Sequence, residues 1–177
     1  MKKLILGSAI VAVLGVATNA MAAPNTGTVN FTGSVSTATC DISLKESTGN
    51  DISNVNLGVL SNTATTNGTP YQFKLVPQDA GCLAKTSANV SWSSSTLSAT
   101  GINNAATSGT NAYLLVQATN ATQTGNNAVI KQGQTSFDYA AAAGVKSFDY
   151  TATLAKPSGT MTAGPFSASA SYVVTYK

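Results

Sequence analysis

Gly164-Pro165-Phe166-Ser167-Ala168-Ser169-Ala170-Ser171-Tyr172-Val173-Val174-Thr175-Tyr176-Lys177 is the stretch on which the fold turns. From Phe166 every second residue is apolar: Phe166, Ala168, Ala170, Tyr172, Val174 and Tyr176. Serines, Val173 and Thr175 stand between them. Successive side chains of a strand point to opposite faces, so this pattern predicts one long strand with an apolar face and a mostly polar face. A glycine opens the stretch, an aromatic residue stands second from its end, and no closing element follows in the sequence. The expectation is the half-buried last strand of a β-sandwich.

Upstream, short alternating segments repeat between turn signals. Val29, Phe31 and Val35 share one parity, and we read a first strand from Val29 to Ile42 behind a polar arm, Ala23 to Thr28. Ile52, Val55, Leu57 and Val59 follow, then an Asn67-Gly68-Thr69-Pro70 turn and a Tyr71–Leu75 strand. Val90-Ser91-Trp92 predicts a short strand with Trp92 as a core anchor. Ser98 to Asn111 is rich in small polar residues and reads as surface loop. Tyr113–Ala118 and Val129-Ile130 are further strands. Ser136-Phe137-Asp138-Tyr139 and Ser147-Phe148-Asp149-Tyr150 echo one another and read as two neighbouring strands joined by a bend at Ala140–Gly144. Many short strands without a long amphipathic helix predict an all-β, immunoglobulin-like sandwich.

Met1-Lys2-Lys3, an apolar run from Leu4 to Val16 and Ala20-Met21-Ala22 form the three parts of a secretory signal. Residues 1–22 are expected to be removed and 23–177 to form one exported domain. Of the nine lysines, two lie in that signal; seven remain against six acids, with no arginine. A surface so poor in charge has no basic patch for phosphates, so no nucleic acid is expected as partner. It also suits a subunit largely covered by copies of itself. Cys40 and Cys82 are the only cysteines, and in an oxidising compartment the pair predicts a disulfide.

Catalytic chemistry finds no footing. Without histidine there is no Ser-His-Asp triad, and two cysteines cannot complete a zinc tetrahedron. Asp138 and Asp149 are the only candidates for a hydrolytic carboxylate pair, and both stand between aromatic residues. No glycine-rich loop enters a helix to cradle a phosphate. The reading is a protein that is not an enzyme and needs neither cofactor nor metal.

Several segments in order carry a resemblance. G-T-V-N-F-T-G-S-V at Gly27–Val35 followed by Cys40, N-L-G-V-L at Asn56–Leu60, and Y-Q-F-K-L followed by Cys82 are three of them. C-L-A-K-T-S-A at Cys82–Ala88, G-I-N-N-A-A at Gly101–Ala106 and the closing A-S-Y-V-V-T-Y-K complete the set. The chain resembles the major subunits of chaperone–usher fimbriae, type-1-like pilins, and among them the thin, sialic-acid-binding fimbriae of enterotoxigenic enterobacteria. The resemblance implies an incomplete immunoglobulin-like sandwich lacking its final strand, completed in trans by a donor strand. It implies a periplasmic chaperone, an outer-membrane usher and other copies of the same chain as partners, ending in a fimbrium at the bacterial cell surface. Residues 23–31 would be the donor arm, with Val29 and Phe31 its pocket-filling residues. The acceptor groove would be edged by the first strand and by 164–177, through Gly164, Phe166, Ala168, Ala170, Tyr172, Val174 and Tyr176. The resemblance also implies attachment to host cells through a glycan or glycolipid. Where the resembling fimbriae carry a lysine- and arginine-rich cluster, this chain reads L-A-K-P-S at Leu154–Ser158, with Lys156 as the single candidate contact. Polymerisation therefore carries over and sialic-acid recognition does not. The alternative is a stand-alone exported carbohydrate-binding sandwich that closes its own sheet.

Overall fold

The structure is a computed structural model that describes residues 26–33, as backbone, and residues 40–177. The expected signal segment and Ala23–Asn25 lie outside the described residues, as do residues 34–39. Among the described residues ten strands run in chain order: β1 (Thr26–Gly33), β2 (Ile42–Glu46), β3 (Asn54–Val59), β4 (Tyr71–Pro77), β5 (Ser87–Ser93), β6 (Ile102–Asn103), β7 (Tyr113–Ala118), β8 (Ser136–Ala140), β9 (Phe148–Ala155) and β10 (Phe166–Tyr176). A four-residue helix, α1 (Ala80–Leu83), and a 3-10 turn at Gly125–Ala128 are the helical elements among them. None of these is long and apolar enough to cross a membrane.

Two five-stranded sheets face one another, one ordered β3-β1-β10-β5-β8 and the other β2-β4-β9-β7-β6. The fold is the all-β, immunoglobulin-like sandwich expected. Each long strand alternates because one face meets the opposite sheet and the other meets water. In β10, Phe166, Ala168, Ala170, Tyr172 and Val174 are buried, while Ser167, Ser169, Ser171, Val173 and Thr175 are exposed. Phe73, Leu75, Val90, Trp92, Leu114, Val116, Phe137 and Tyr150 fill the space between the sheets.

Aromatic contacts dominate one region of this core. Tyr150 stacks on Phe73 at 5.4 Å and meets the edge of Trp92 at 5.1 Å. The Trp92 Nε1–H donates to the Tyr150 hydroxyl, and the Tyr139 hydroxyl donates to the same oxygen at 2.7 Å. Burying those polar tips without partners would cost about 1–3 kcal/mol each, so the three-residue network is part of the packing. Trp92 is thus the expected core anchor.

Three local expectations change. The first strand expected over Val29–Ile42 divides: β1 belongs to one sheet and β2 begins at Ile42 in the other. The two Ser-Phe-Asp-Tyr echoes do not pair. β8 lies in one sheet and β9 in the other, and their tyrosines meet tip to tip across the core. Both segments have one apolar parity, which says that each buries one face but not against which neighbour. Val129 contributes an isolated bridge to Gln117 rather than a strand, and Ser98–Asn111 contains the two-residue β6.

Candidate assembly interface along the last strand

β10 has two different edges. On one side β5 pairs antiparallel with its second half, placing Tyr172 opposite Trp92, Val174 opposite Val90 and Tyr176 opposite Ala88. On the other side β1 pairs parallel with its first half, from Gly27 opposite Phe166 to Gly33 opposite Tyr172. β1 is also paired antiparallel with β3, from Thr26 opposite Val59 to Asn30 opposite Asn54, with a register shift between Thr26 and Thr28. The amino-terminal strand therefore fills a slot whose walls are β3 and β10. The sequence reading had the first strand as one wall of the groove; it lies inside, and β3 is the wall. β3 was legible as an apolar alternation, but its pairing partner was not.

The slot's floor is built from small residues. Ala168 and Ala170, both buried, stand in register with Val29 and Phe31. Phe166 and Tyr172 bound them on the same face of β10.

The first half of β10 leans on loop residues where β5 ends. The Ser94 hydroxyl donates to the Ser169 carbonyl at 2.7 Å, and the Ala105 N–H donates to the Ser167 carbonyl at 2.8 Å. Asn104 is the central clamp. Its Nδ2 donates to the Thr110 and Pro165 carbonyls, and its Oδ1 accepts from the Ala106 and Ser167 N–H groups. The sequence reading passed over Asn104 as surface loop. The available signal was an Asn in a turn-rich segment, where its amide can substitute for backbone partners.

Gly164 lies against this clamp. Its φ is +150°, and a Cβ there would come within 2.9 Å of backbone atoms of Gly109 and Thr110. A Cβ on Gly109 would in turn lie 2.4 Å from the Pro165 carbonyl oxygen. The two segments approach closely because neither carries a side chain at the contact.

Cys40 and Cys82 form the disulfide, with Cα atoms 6.2 Å apart across 42 residues of sequence. In the chain-entropy account a loop of that length stabilises by roughly 3–4 kcal/mol. Asp79 approaches both sulfurs, but the cysteines are bonded to each other and its carboxylate accepts from the Asp41 N–H at 2.8 Å.

Tyr176, the penultimate residue, packs at 6.2 Å from the Phe148 ring. Burial pushes its hydroxyl up to about 12, and among the described residues that buried oxygen has no hydrogen-bond partner. Burial likewise raises Tyr139 and Tyr150 well above the usual phenol range, and it raises Tyr172.

Asp138 and Asp149 are not brought together. Their neighbours Phe137, Tyr139, Phe148 and Tyr150 point inward, so the two acids face outward from opposite sheets. Hydrogen bonds from Asn89 and Gln123 hold the Asp138 carboxyl below its ordinary range. Lys156 lies outside β10, in the connection from β9. Its backbone N–H donates to Asn67 Oδ1 and its Nζ donates to the neighbouring Pro157 carbonyl.

A sandwich whose last strand is flanked by an amino-terminal strand in a small-floored slot fits a subunit built to assemble. The family model described as fimbrial protein matches residues 29–177. This chain belongs to the fimbrial protein family. It is 38% identical over 186 residues to the K99 fimbrial protein of Escherichia coli, an alignment covering 99% of each chain. The match runs from within β1 through β10, so both neighbours of β1 and the larger part of β1 itself fall inside the family's pattern. This fimbrial subunit is accordingly a structural protein by family.

Proposed function

We propose that this fimbrial subunit is the major shaft component of an adhesive fimbria and polymerises by donor-strand exchange. One observation carries the reading: β1, the element nearest the amino terminus among those described, fills a slot between β3 and β10. An empty slot would leave two rows of unpaired backbone groups beside buried apolar residues, a costly arrangement in water. Any strand with the right alternation can fill it, because the ladder bonds are made by backbone and the pockets only ask for side chains at every second position. In the exported subunit a periplasmic chaperone supplies that strand. At the outer-membrane usher it is replaced by the arm of the next copy, with Val29 and Phe31 over Ala168 and Ala170. Because the arm and the slot are different surfaces of one chain, the contact is heterologous and extends into a filament. The shaft then presents its polar faces to host cells, and Lys156 is the candidate contact to a host-cell glycan or glycolipid. A stand-alone sandwich would also close its own sheet, as β1 does; fimbrial family membership favours the shaft subunit.

The test adds a synthetic peptide of residues 23–33 to a chain lacking those residues, purified with its chaperone. Uptake of the peptide with release of the chaperone, and no uptake of a Phe31→Lys peptide, is expected. Equal uptake of both peptides, or of neither, would remove strand exchange as the assembly mechanism.

A further inference from the structure

The Ser-Phe-Asp-Tyr echo puts two aspartates on the outer faces of opposite sheets, and their surroundings differ. Asp138 is engaged: Asn89 Nδ2 donates to one carboxylate oxygen and Gln123 Nε2 donates to the other. Asp149 has its backbone satisfied, since its N–H donates to Asn120 Oδ1 and its carbonyl accepts from the Thr119 N–H. Its carboxylate is not satisfied. Oδ1 is buried and has no hydrogen-bond partner among the described residues. A buried acceptor without a donor is costly, and a carboxylate more so than a neutral group.

Asp149 lines an open cavity of about 270 Å³ on the outer face of the sheet β2-β4-β9-β7-β6. Lys74 stands directly opposite it on β4, and Gln72 stands opposite Thr151. Ser47 and Thr119 complete the polar lining. The rings of Phe73 and Tyr150, from the same two strands, are buried in the core, so polar side chains wall the cavity. Among the described residues, none of these six polar side chains makes a hydrogen bond or ion pair within the chain. Lys45, beside Lys74 on β2, is occupied by Asp51 at 2.7 Å. The cavity's own charges are thus one ammonium and one carboxylate, which cancel.

That inventory selects a ligand. A carboxylate accepts, an ammonium donates, and an amide or hydroxyl does both. The matching partner offers donors and acceptors side by side on a neutral frame, as the adjacent hydroxyls of a sugar ring do. A divalent cation needs more oxygen ligands than one carboxylate and is repelled by Lys74. An acidic sugar is repelled by Asp149. A peptide that adds as a strand needs a sheet edge, and this cavity opens on a face. Its volume is just under the ~300–1,000 Å³ of sites for drug-sized ligands, which suits a single ring.

We propose that the cavity between Lys74 and Asp149 binds one neutral sugar residue, Asp149 accepting from adjacent hydroxyls, Lys74 donating to a ring substituent, and Gln72 and Thr151 orienting the ring. An exposed ion pair is worth little, so a ligand that takes both charges displaces no strong contact. The carboxylate's χ2 is a soft torsion, so the group can turn toward donors arriving through the cavity. The site's part in attachment rests on the adhesive-shaft reading, and it moves the contact from Lys156 to the opposite end of β9. The sheet that carries it holds neither β1 nor β10, so strand exchange leaves it open on every copy. A small ligand held by hydrogen bonds binds weakly at one site, and repetition along a filament raises the avidity.

Saturation-transfer NMR tests the site on the exported chain, residues 23–177, in the form that cells produce. The probes are galactose, glucose, N-acetylgalactosamine, N-acetylglucosamine, N-acetylneuraminic acid and glycine. Binding of at least one neutral sugar is expected, weakened about tenfold or more by Asp149→Ala and by Lys74→Met. Lys156→Met should leave it unchanged. Lys74→Met keeps the aliphatic stem on an outer face, so it reads the site even where Asp149→Ala fails to fold.

Binding as strong as the parent's in either folded variant overturns the site. So does a preference for N-acetylneuraminic acid or glycine over every neutral sugar, or no sugar bound at all. Electron microscopy of the same samples separates the two readings. Filaments that bind no sugar sink the cavity and leave the shaft standing; sugar binding lost with Lys74→Met in a chain that forms no filaments does the reverse.

Discussion

The two edges of β10 are built to different specifications. Beside β5, Tyr172 packs against Trp92 with ring centroids 5.5 Å apart, and Val174 and Tyr176 face Val90 and Ala88 in an antiparallel ladder. Those residues continue into the network of Trp92, Tyr150 and Tyr139. Beside β1, the acceptor residues are Ala168 and Ala170, and the ladder is parallel. Parallel pairing is slightly weaker per residue than antiparallel. One edge is held by large interlocking rings, and the other presents small residues to a parallel strand. The difference teaches how one strand can meet two neighbours through two kinds of packing, on opposite edges and in opposite halves.

The sharpest way to break the comparison is to remove the arm. Deleting residues 23–33 takes away β1 and with it the only strand paired to Phe166–Ala170 among those described. Burying a side chain such as Val or Phe is worth ~1.5–3 kcal/mol. If Val29 and Phe31 fill the pockets as proposed, two of them plus a ladder approach the whole stability of a domain, roughly 5–15 kcal/mol. The truncated chain is expected to be unfolded or aggregated by circular dichroism and gel filtration unless a strand is supplied. A truncated chain that unfolds in urea at the same midpoint as the intact one would show that the slot contributes nothing.

Next in size is the disulfide, which anchors the arm's connection. A Cys40→Ser, Cys82→Ser double variant should lose roughly 3–4 kcal/mol in denaturant unfolding, the chain-entropy value for its loop.

Asn104→Ala probes the half of β10 that lacks β5. It deletes four hydrogen bonds that hold Pro165, Ser167, Ala106 and Thr110. With net values of about 0.5–1.5 kcal/mol per bond and partial replacement by water, a loss of about 2 kcal/mol is expected. Hydrogen exchange should rise at the Ser167 amide and remain unchanged at Val174. Equal acceleration at both positions would mean that the two halves of β10 open as one unit.

The committed edge can be weakened by alkali. Tyr139 and Tyr150 have hydroxyls raised by burial above the ordinary value of 10.0. Their folded forms stay neutral where the unfolded chain's tyrosines ionise. The folded state then binds more protons, so stability is flat below pH 10 and falls above it. Each such group removes about 1.4 kcal/mol per pH unit in that window. Urea midpoints measured at pH 8, 10 and 11 should be level between the first two and drop at the third. Tyr139→Phe, which removes one donor to the Tyr150 oxygen, is the smallest change, about 1 kcal/mol.

The sequence by itself determined the strand character of β10 and which of its residues face inward. Alternation along a strand is a local property, and Phe166 to Val174 obey it without exception. The sequence also placed Trp92 in the core, and the count of two cysteines paired Cys40 with Cys82. It also picked out Val29 and Phe31 as one parity of an amino-terminal segment. The tertiary structure decided what each strand lies against. A strand's own pattern says that one face is covered, but hydrogen-bonded neighbours are chosen by loops and long-range packing. The Ser-Phe-Asp-Tyr echoes therefore ended in opposite sheets, and the segment from Val29 to Ile42 divided between both. Asn104 and Gly164 acquired their roles only when Pro165, Gly109 and Thr110 came within contact distance. The direction of β1, parallel to β10, likewise came only with the tertiary structure.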